Sequence, residues 1–455
     1  MIKLFATVVS TVMLVSIAFS QQPGSQSKKL TLEQALAIAF ERNVNVAQAA
    51  NSIDNARAGV LTAYGSYIPR LNANAGVSRT GYNSPPSIRT IGGIPFSTPR
   101  TDSWYSTYNG GIGLSWVLFD GFNREANFSS ALTGEIQAEQ SYDRTRQSIA
   151  YTVQSSYLNV IRAEKQVKVF LENLTNEKNR LQRITEQNRL GAVAIGDVYR
   201  QQSQVAQAEY NYINAQNTYD KAKADLLNLL ALDVLEDYVI SDPSIEVQIK
   251  EVESDPGTSS LGSFEELRTR ALNSRLDYAN VKSSVTLADA GITQAWSSYY
   301  PSVSVNAGYS TNAQEWNVAT NLSENHSRSI GLNLSWQLPE IFGAIQRVQT
   351  ANISKKNAVL QLEQKARDIS VELRKALLDI EASRKQYEAS QKSLVAAGQD
   401  KRIAEERYNL GSGTLLDVQV ATTAYLNAQV TTVFNSYNYI TYKKNLELVI
   451  GEKKY

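Results

Sequence analysis

The sequence predicts a mainly α-helical chain of two like halves, each joining a pair of membrane-barrel-type strands to a long antiparallel coiled-coil hairpin. Three observations predict it: an internal duplication, period-two alternation of apolar and polar residues, and heptad spacing in helix-permissive stretches. At a shift of 232, Glu33 meets Glu265, Ala58-Gly59 meets Ala290-Gly291, Pro69 meets Pro301, and Asn74-Ala75-Gly76 meets Asn306-Ala307-Gly308. Further along, Gly111–Trp116 resembles Gly331–Trp336, and Leu190-Gly191 resembles Leu410-Gly411, now at a shift of 220. The first half therefore carries a net 12 extra residues (232 less 220), which fall in the Pro-, Gly- and Ser-rich stretch Gly81–Arg100 and read as a longer loop.

The chain opens with Lys3, an apolar run from Leu4 to Phe19, and small residues at Ala18 and Ser20. This is the order of a cleavable export signal, and the run is shorter than the roughly 20 residues that a membrane-spanning helix needs. The expected organisation is a signal peptide (1–20), a first repeat (21–232), a linker (233–262), a second repeat (263–451) and a short tail (452–455). The linker is marked by the turn signals Asp242-Pro243 and Asp255-Pro256-Gly257.

Within each repeat the order is helix, strand pair, very long helix, tight turn, returning helix. Leu71, Ala73, Ala75 and Val77 alternate with Asn72, Asn74, Gly76 and Ser78; Tyr108, Ile112, Leu114 and Trp116 alternate with Asn109, Gly111, Gly113 and Ser115. Val303, Val305 and Ala307, and then Ile330, Leu332 and Leu334, repeat the pattern in the second half. Such strands have one greasy and one wet face; the wet face carries Asn, Ser and Gly, which suit a water-filled lumen, and Trp104, Trp116 and Trp336 lie near strand ends, where interfacial aromatic girdles sit. The same alternation fits a sheet packed on a soluble core. Four strands cannot close a barrel, which takes about eight, so either the sheet packs on something or several chains share one barrel.

From Phe122 to about Arg189 there is no proline, giving a helix of roughly 100 Å at 1.5 Å per residue. Val153, Val160, Val167, Leu174 and Leu181 recur every seven; Ser156, Ala163, Phe170 and Ile184 follow three later, with Glu177 the exception. Leu373, Ile380, Tyr387 and Leu394 do the same in the second repeat. Heptads imply a left-handed supercoil, and Gly191 and Gly411 mark the stops at which each chain reverses. Ala208, Ala421 and Ala428 allow close packing in the returning helices. Heptads alone also fit a secreted coiled-coil scaffold or adhesin stalk.

Composition narrows the function. Lys plus Arg is 45 and Asp plus Glu is 44, for a net charge of +1, so there is no basic excess for nucleic acid. The chain has no cysteine, which removes disulfides, thiolate sites and an N-terminal lipid-modified Cys. Its one histidine, His326, has no ligand-spaced companions and reads as a solvated loop residue. No nucleophile–base or metal constellation is present, so no enzymatic activity and no cofactor is expected. Gly110-Gly111-Ile112-Gly113 lacks the third glycine of a nucleotide loop and sits in a strand.

The sequence resembles the TolC-like outer membrane efflux proteins over about residues 30–451. The resemblance is carried by Leu30–Asn43, the Tyr67-Ile68-Pro69 and Tyr299-Tyr300-Pro301 junctions, Leu114–Phe122 and the two hairpin tips, in order and in duplicate. It implies a homotrimer in the bacterial outer membrane, each chain lending four strands to a shared 12-stranded barrel, with the helices forming an α-helical barrel through the periplasm. The linker would join a belt around that barrel. The implied partners are a periplasmic adaptor, an inner membrane transporter of RND, ABC or MFS type, and outer membrane lipid. By the same resemblance Asp417 matches a pore aspartate, Asp197 an acidic partner of the tip tyrosine, and Tyr408 that tyrosine. Leu190, Gly191, Leu410 and Gly411 match the tips where an adaptor docks. Gly413 and Val420 stand where an arginine latch and a second aspartate occur, so the full latch and a double ring are not expected. Asp417 and Asp197 also follow Gly-containing turns, where N-terminal helix capping needs a short acid.

Overall fold

The structure is a computed structural model describing residues 28–252, 262–313, 325–336 and 341–452; the expected signal peptide lies outside the described residues. A short strand β1 (Lys28–Leu30) leads into α1 (Leu32–Arg42) and α2 (Val44–Gly65). The helix expected here is broken in two at Asn43, whose side-chain oxygen caps α2 through the Asn45 N–H at 3.0 Å while its amide donates to Leu229 O at 3.1 Å. The first strand pair is β2 (Arg70–Ser84) and β5 (Thr101–Phe119), with β3 (Ser87–Ile91) and β4 (Ile94–Thr98) between them. Then come α3 (Asn123–Arg189) and α4 (Ile195–Leu229), followed by β6 (Tyr238–Ile240) and α5 (Pro243–Val252). The second half repeats the order with α6 (Phe264–Ser274), α7 (Leu276–Ser297), β7 (Ser302–Ala313), β8 (His326–Ser335), α8 (Ile341–Asn409) and α9 (Leu415–Ile450).

The stretch expected as a long loop is instead a second hairpin. β3 and β4 pair antiparallel through Gly92-Gly93, both at positive φ (61° and 88°), the turn that matches strand twist. Its Pro- and Ser-rich flanks hid it, because those residues signal turns whether or not strands flank them. His326 likewise opens β8 rather than lying in a loop; it remains exposed, with its ring stacked on Tyr309 at 5.3 Å.

The four main strands form one antiparallel sheet in the order β2-β5-β7-β8. Its register places like with like. Leu71 faces Leu114 and Ala73 faces Ile112; Leu114 faces Ala307; Ala307 faces Ile330 and Val305 faces Leu332. Partners in an antiparallel pair share a face, so one side of the sheet is apolar throughout. That side stops at Arg79 and Arg328, whose guanidinium groups lie 5.7 Å over Trp104 and 5.8 Å over Tyr309. On the other side asparagines lie across glycines: Asn72 opposite Gly113, Asn74 opposite Gly111, Asn109 opposite Gly76. A methyl on Gly113 or Gly76 would come within 2.8 Å of the facing amide, so the glycines make room for flat-lying Asn side chains. Leu71, Ile112, Leu332 and Leu334 are all exposed, while Leu114, Val303, Val305 and Ala307 between them are half-buried, so much of the apolar face is open to solvent among the described residues.

The helices account for the buried core. On α8, Ile369, Leu373, Ala376, Ile380, Ser383, Tyr387 and Ser390 are buried at alternating spacings of four and three and face α9. Ser383 and Ser390 satisfy their hydroxyls on Ile380 O (3.0 Å) and Tyr387 O (2.7 Å), which is how polar residues are accommodated in the seam. On α3 the expected Val153, Val160, Ala163, Leu174 and Ile184 are buried, as are Ala208 on α4 and Ala421 and Ala428 on α9. β1 and β6 pair in parallel beside α3, where the Tyr157 hydroxyl donates to Leu30 O at 2.7 Å. An ionic knot fixes the α6–α7 junction: Arg275, 2% exposed on its side chain, holds Asp277 at 2.7 Å and Glu372 at 2.6 Å, and Lys365 reaches Asp277 at 2.8 Å. Among the described residues no helix is long and apolar enough to cross a membrane.

Candidate functional site: the hairpin tips

Both long hairpins turn by the same device. At the first tip the Gly191 N–H donates to Asn188 O (2.9 Å) and the Ala192 N–H to Gln187 O (2.8 Å); at the second, Gly411 donates to Tyr408 O (3.0 Å) and Ser412 to Arg407 O (2.9 Å). This pattern needs a left-handed residue, and Gly191 and Gly411 supply it at φ 76° and 74°. Leu190 and Leu410 project beside them, 67% and 83% exposed. The Asn188 amide donating to Val193 O at 2.8 Å braces the first tip. In the second, Gly413 sits where any Cβ would lie 3.1 Å from Arg407 Cβ, so a larger residue there displaces the turn.

Asp417 is placed at the start of α9 as half of a capping box. The Thr414 N–H and hydroxyl donate to its carboxylate at 2.9 and 2.8 Å, and the Asp417 N–H donates back to Thr414 Oγ1 at 3.2 Å. The backbone bond from Thr414 and then its hydroxyl bond hold the Asp417 carboxyl below its ordinary range, so this exposed acid stays charged. Val420, one turn on, is exposed and uncharged.

Asp197 occupies the equivalent place on α4, where Ala194 provides no side-chain cap. It pairs with Arg200 at 3.1 Å. Tyr408 packs on the small tip core of Ile184, Val198 and Leu415, and its hydroxyl is buried without a hydrogen-bond partner. Burial raises its pKa, and the Asp197 charge adds to the rise. The structure thus brings Asp197 and Tyr408 within electrostatic reach but not into a hydrogen bond. The two tips meet through apolar packing, with Asp417 facing solvent beside them.

One cluster above the tips is not singled out by motif reasoning. Glu177 and Arg180 on α3 are both buried and paired at 3.1 Å; Arg180 also reaches Glu405 on α8 at 2.8 Å. Gln201 on α4 donates to Glu177 at 2.5 Å, and Gln419 on α9 donates to Gln201 at 3.4 Å. One polar network therefore links all four long helices. Its trace in the sequence is Glu177, the acid that interrupts the apolar heptads; the partners, up to 225 positions away, leave none. No grouping of three or more His, Cys, Asp or Glu that could hold a metal occurs among the described residues.

Comparison with known proteins agrees with this geometry. The sequence profile of the family described as outer membrane efflux protein matches residues 35–232 and 267–452. The chain is 23% identical over 396 residues to the pyoverdine export outer membrane protein OpmQ of Pseudomonas aeruginosa, spanning 85% of this chain and 78% of that one. It is 24% identical over 320 residues to the outer membrane protein TolC of Escherichia coli, spanning 68% of this chain and 62% of TolC. In fold it is similar to the crystal structure of the Campylobacter jejuni CmeC outer membrane channel, with a TM-score of 0.76 at 19% identity over 92% of this chain and 85% of that one. The chain belongs to the outer membrane efflux protein family and is an outer membrane channel for efflux or secretion.

Proposed function

We propose that three copies of this chain assemble into one continuous passive duct, which spans the outer membrane as a shared 12-stranded barrel and continues through the periplasm as a helical tube. The observation that carries this reading is the sheet. Its four strands end in two edges, β2 and β8, that have no strand partner among the described residues, and one face is mainly apolar, with Leu71, Ile112, Ile330, Leu332 and Leu334 exposed on it. Open edges and a bare apolar face are both unstable in water. Joining β2 of one copy to β8 of the next removes every edge, and a rotational three-fold closes the ring with twelve strands. The apolar face then meets lipid and the Asn, Ser and Gly face lines the water-filled bore. The secreted-stalk alternative leaves that apolar face uncovered and is not favoured.

The exposed Leu190 and Leu410 at the glycine turns are the docking points for a periplasmic adaptor, which couples the duct to an energised inner membrane transporter. Asp417, three times repeated about the axis, forms the charged constriction, with Tyr408 and Asp197 packed behind it. A ring of like charges favours cations, and its members raise one another's pKa. The Thr414 bonds oppose that rise.

The absence of cysteine makes a direct test possible. Single cysteines introduced in pairs along β2 and β8, on the free edges, are expected to form intermolecular disulfides giving a gel ladder that ends at three chains. A ladder continuing past three, or no crosslink from any pair in folded protein, contradicts the shared barrel.

A further inference from the structure

A cavity of about 400 Å³ lies between α3 and α9, well away from the tips and the strands. It is within the size range of small-molecule sites. Its only cationic lining residue is Arg162, and no Asp or Glu lines it. Arg162 is half-buried, and its partners are neutral: its guanidinium donates to the Asn438 side-chain oxygen at 3.2 Å and to that of Asn159, and it lies 4.9 Å over the Phe434 ring. No ion pair of Arg162 is found among the described residues.

The sequence shows why. There is no acidic residue on α3 from 144 to 163 and none on α9 from 418 to 446, the stretches that form the cavity. The next acid on α3, Glu164, is engaged by Lys168 at 2.6 Å. Burial pulls the Arg162 pKa down from its ordinary value, with no carboxylate acting on the guanidinium itself; the charges of Glu246 and Glu164, outside the lining, are felt at Tyr437. Buried and half-buried charges are normally paired, because desolvating a lone charge is costly. A guanidinium has five N–H donors in a planar fork, and two asparagine oxygens leave the fork with donors to spare.

We propose that this cavity is a binding site for a small organic carboxylate, whose anionic group is received by Arg162 and whose apolar body lies against Tyr151, Leu158 and Tyr437. A carboxylate matches the fork geometry and supplies the missing negative charge. Hydroxyl and amide groups from Ser155, Asn159 and Asn438 fill the rest of its hydrogen-bonding needs. The site opens on the side of α3 turned away from β1. Tyr157, which bonds β1, is five positions from Arg162, or about 140° round the helix. In a tubular assembly that side is the inner wall, yet the site is built within one chain and does not depend on the three-fold reading.

The test is titration calorimetry on the purified full chain with sodium benzoate, against neutral benzamide of nearly the same shape, at constant ionic strength. Saturable benzoate binding is expected, with benzamide at least tenfold weaker. Arg162→Gln, which keeps length and hydrogen bonding but removes the charge, is expected to weaken benzoate at least tenfold. Ser155→Leu, which fills the cavity without touching the guanidinium, is expected to weaken it comparably. Equal binding of benzoate and benzamide, benzoate binding unchanged in either folded variant, or no saturable benzoate binding to the unaltered chain overturns the proposal.

Discussion

At the scale of single residues, the turns at Gly191 and Gly411 are governed by backbone rather than by packing. A Cβ on Gly191 or Gly411 would touch nothing within 4 Å, so only the positive φ resists substitution. Left-handed backbone costs an L-residue roughly 1–2 kcal/mol and is worst for β-branched side chains, whereas Asn tolerates it. Gly411→Val is therefore expected to lower the thermal midpoint of the purified protein and Gly411→Asn to leave it nearly unchanged; equal effects would show that the turn needs no special backbone. Asp417 has two roles that one substitution can separate. Asn in its place still accepts the Thr414 N–H but carries no charge. Asp417→Asn is expected to weaken block of the open pore by multivalent cations while leaving melting unchanged, and unchanged block would remove Asp417 from the constriction. That Asp417 could cap was legible from its place just after a Gly-containing turn; that Thr414 is the N-cap and Asp417 its partner three residues on was not. The unsatisfied Tyr408 hydroxyl was not, since it depends on how residues from both tips pack together.

At the scale of elements, α3 and α8 hold the molecule together through a seam whose spacing was plain in the sequence. Spacings of three and four identify a buried stripe whatever it packs against, so Val153, Val160, Leu373 and Ile380 could be assigned to the interior from spacing alone. The polar groups that cross between helices could not be read this way. Arg162 and Asn438 are 276 positions apart, and Arg275 and Glu372 are 97 apart. Spacing rules act within one helix and say nothing of such pairs. The outer β3–β4 hairpin was missed for a different reason: its turn residues also signal loops.

The Arg275 knot gives this scale its prediction. Burial alone would raise the Asp277 carboxyl, but hydrogen bonds from Arg275 and Lys365 overcome it and hold the group far below its ordinary value of 3.8. A carboxyl depressed on folding contributes stability above its unfolded pKa, and the contribution is lost as pH falls towards the folded value. Removing one partner of a buried pair costs about 3–5 kcal/mol. Asp277→Asn is thus expected to melt well below the unaltered protein at pH 7, with the gap narrowing as pH falls below about 4. A gap independent of pH would show that the loss is one of packing rather than charge.

At the scale of the whole molecule, the chain looks unfinished when alone. Among the described residues its sheet has two open edges, one face exposes Leu71, Ile112, Ile330, Leu332 and Leu334, and its tips present bare leucines. The sequence already posed this problem, because four strands of barrel type cannot close by themselves. Composition fits the resolution: with 42% apolar residues and a net charge of +1, the chain has the polarity of a wall that faces water along much of its length. The even charge gives the duct no overall preference, so selectivity by charge has to be local, at Asp417 and at the Arg162 cavity.

The most direct test of the duct is electrical. Purified protein reconstituted into a planar bilayer is expected to insert in discrete steps of conductance, one per assembly, with block by multivalent cations from the side that carries the helical tips. Folded assemblies that insert into the bilayer and pass no current, under conditions that should open the entrance, would contradict it.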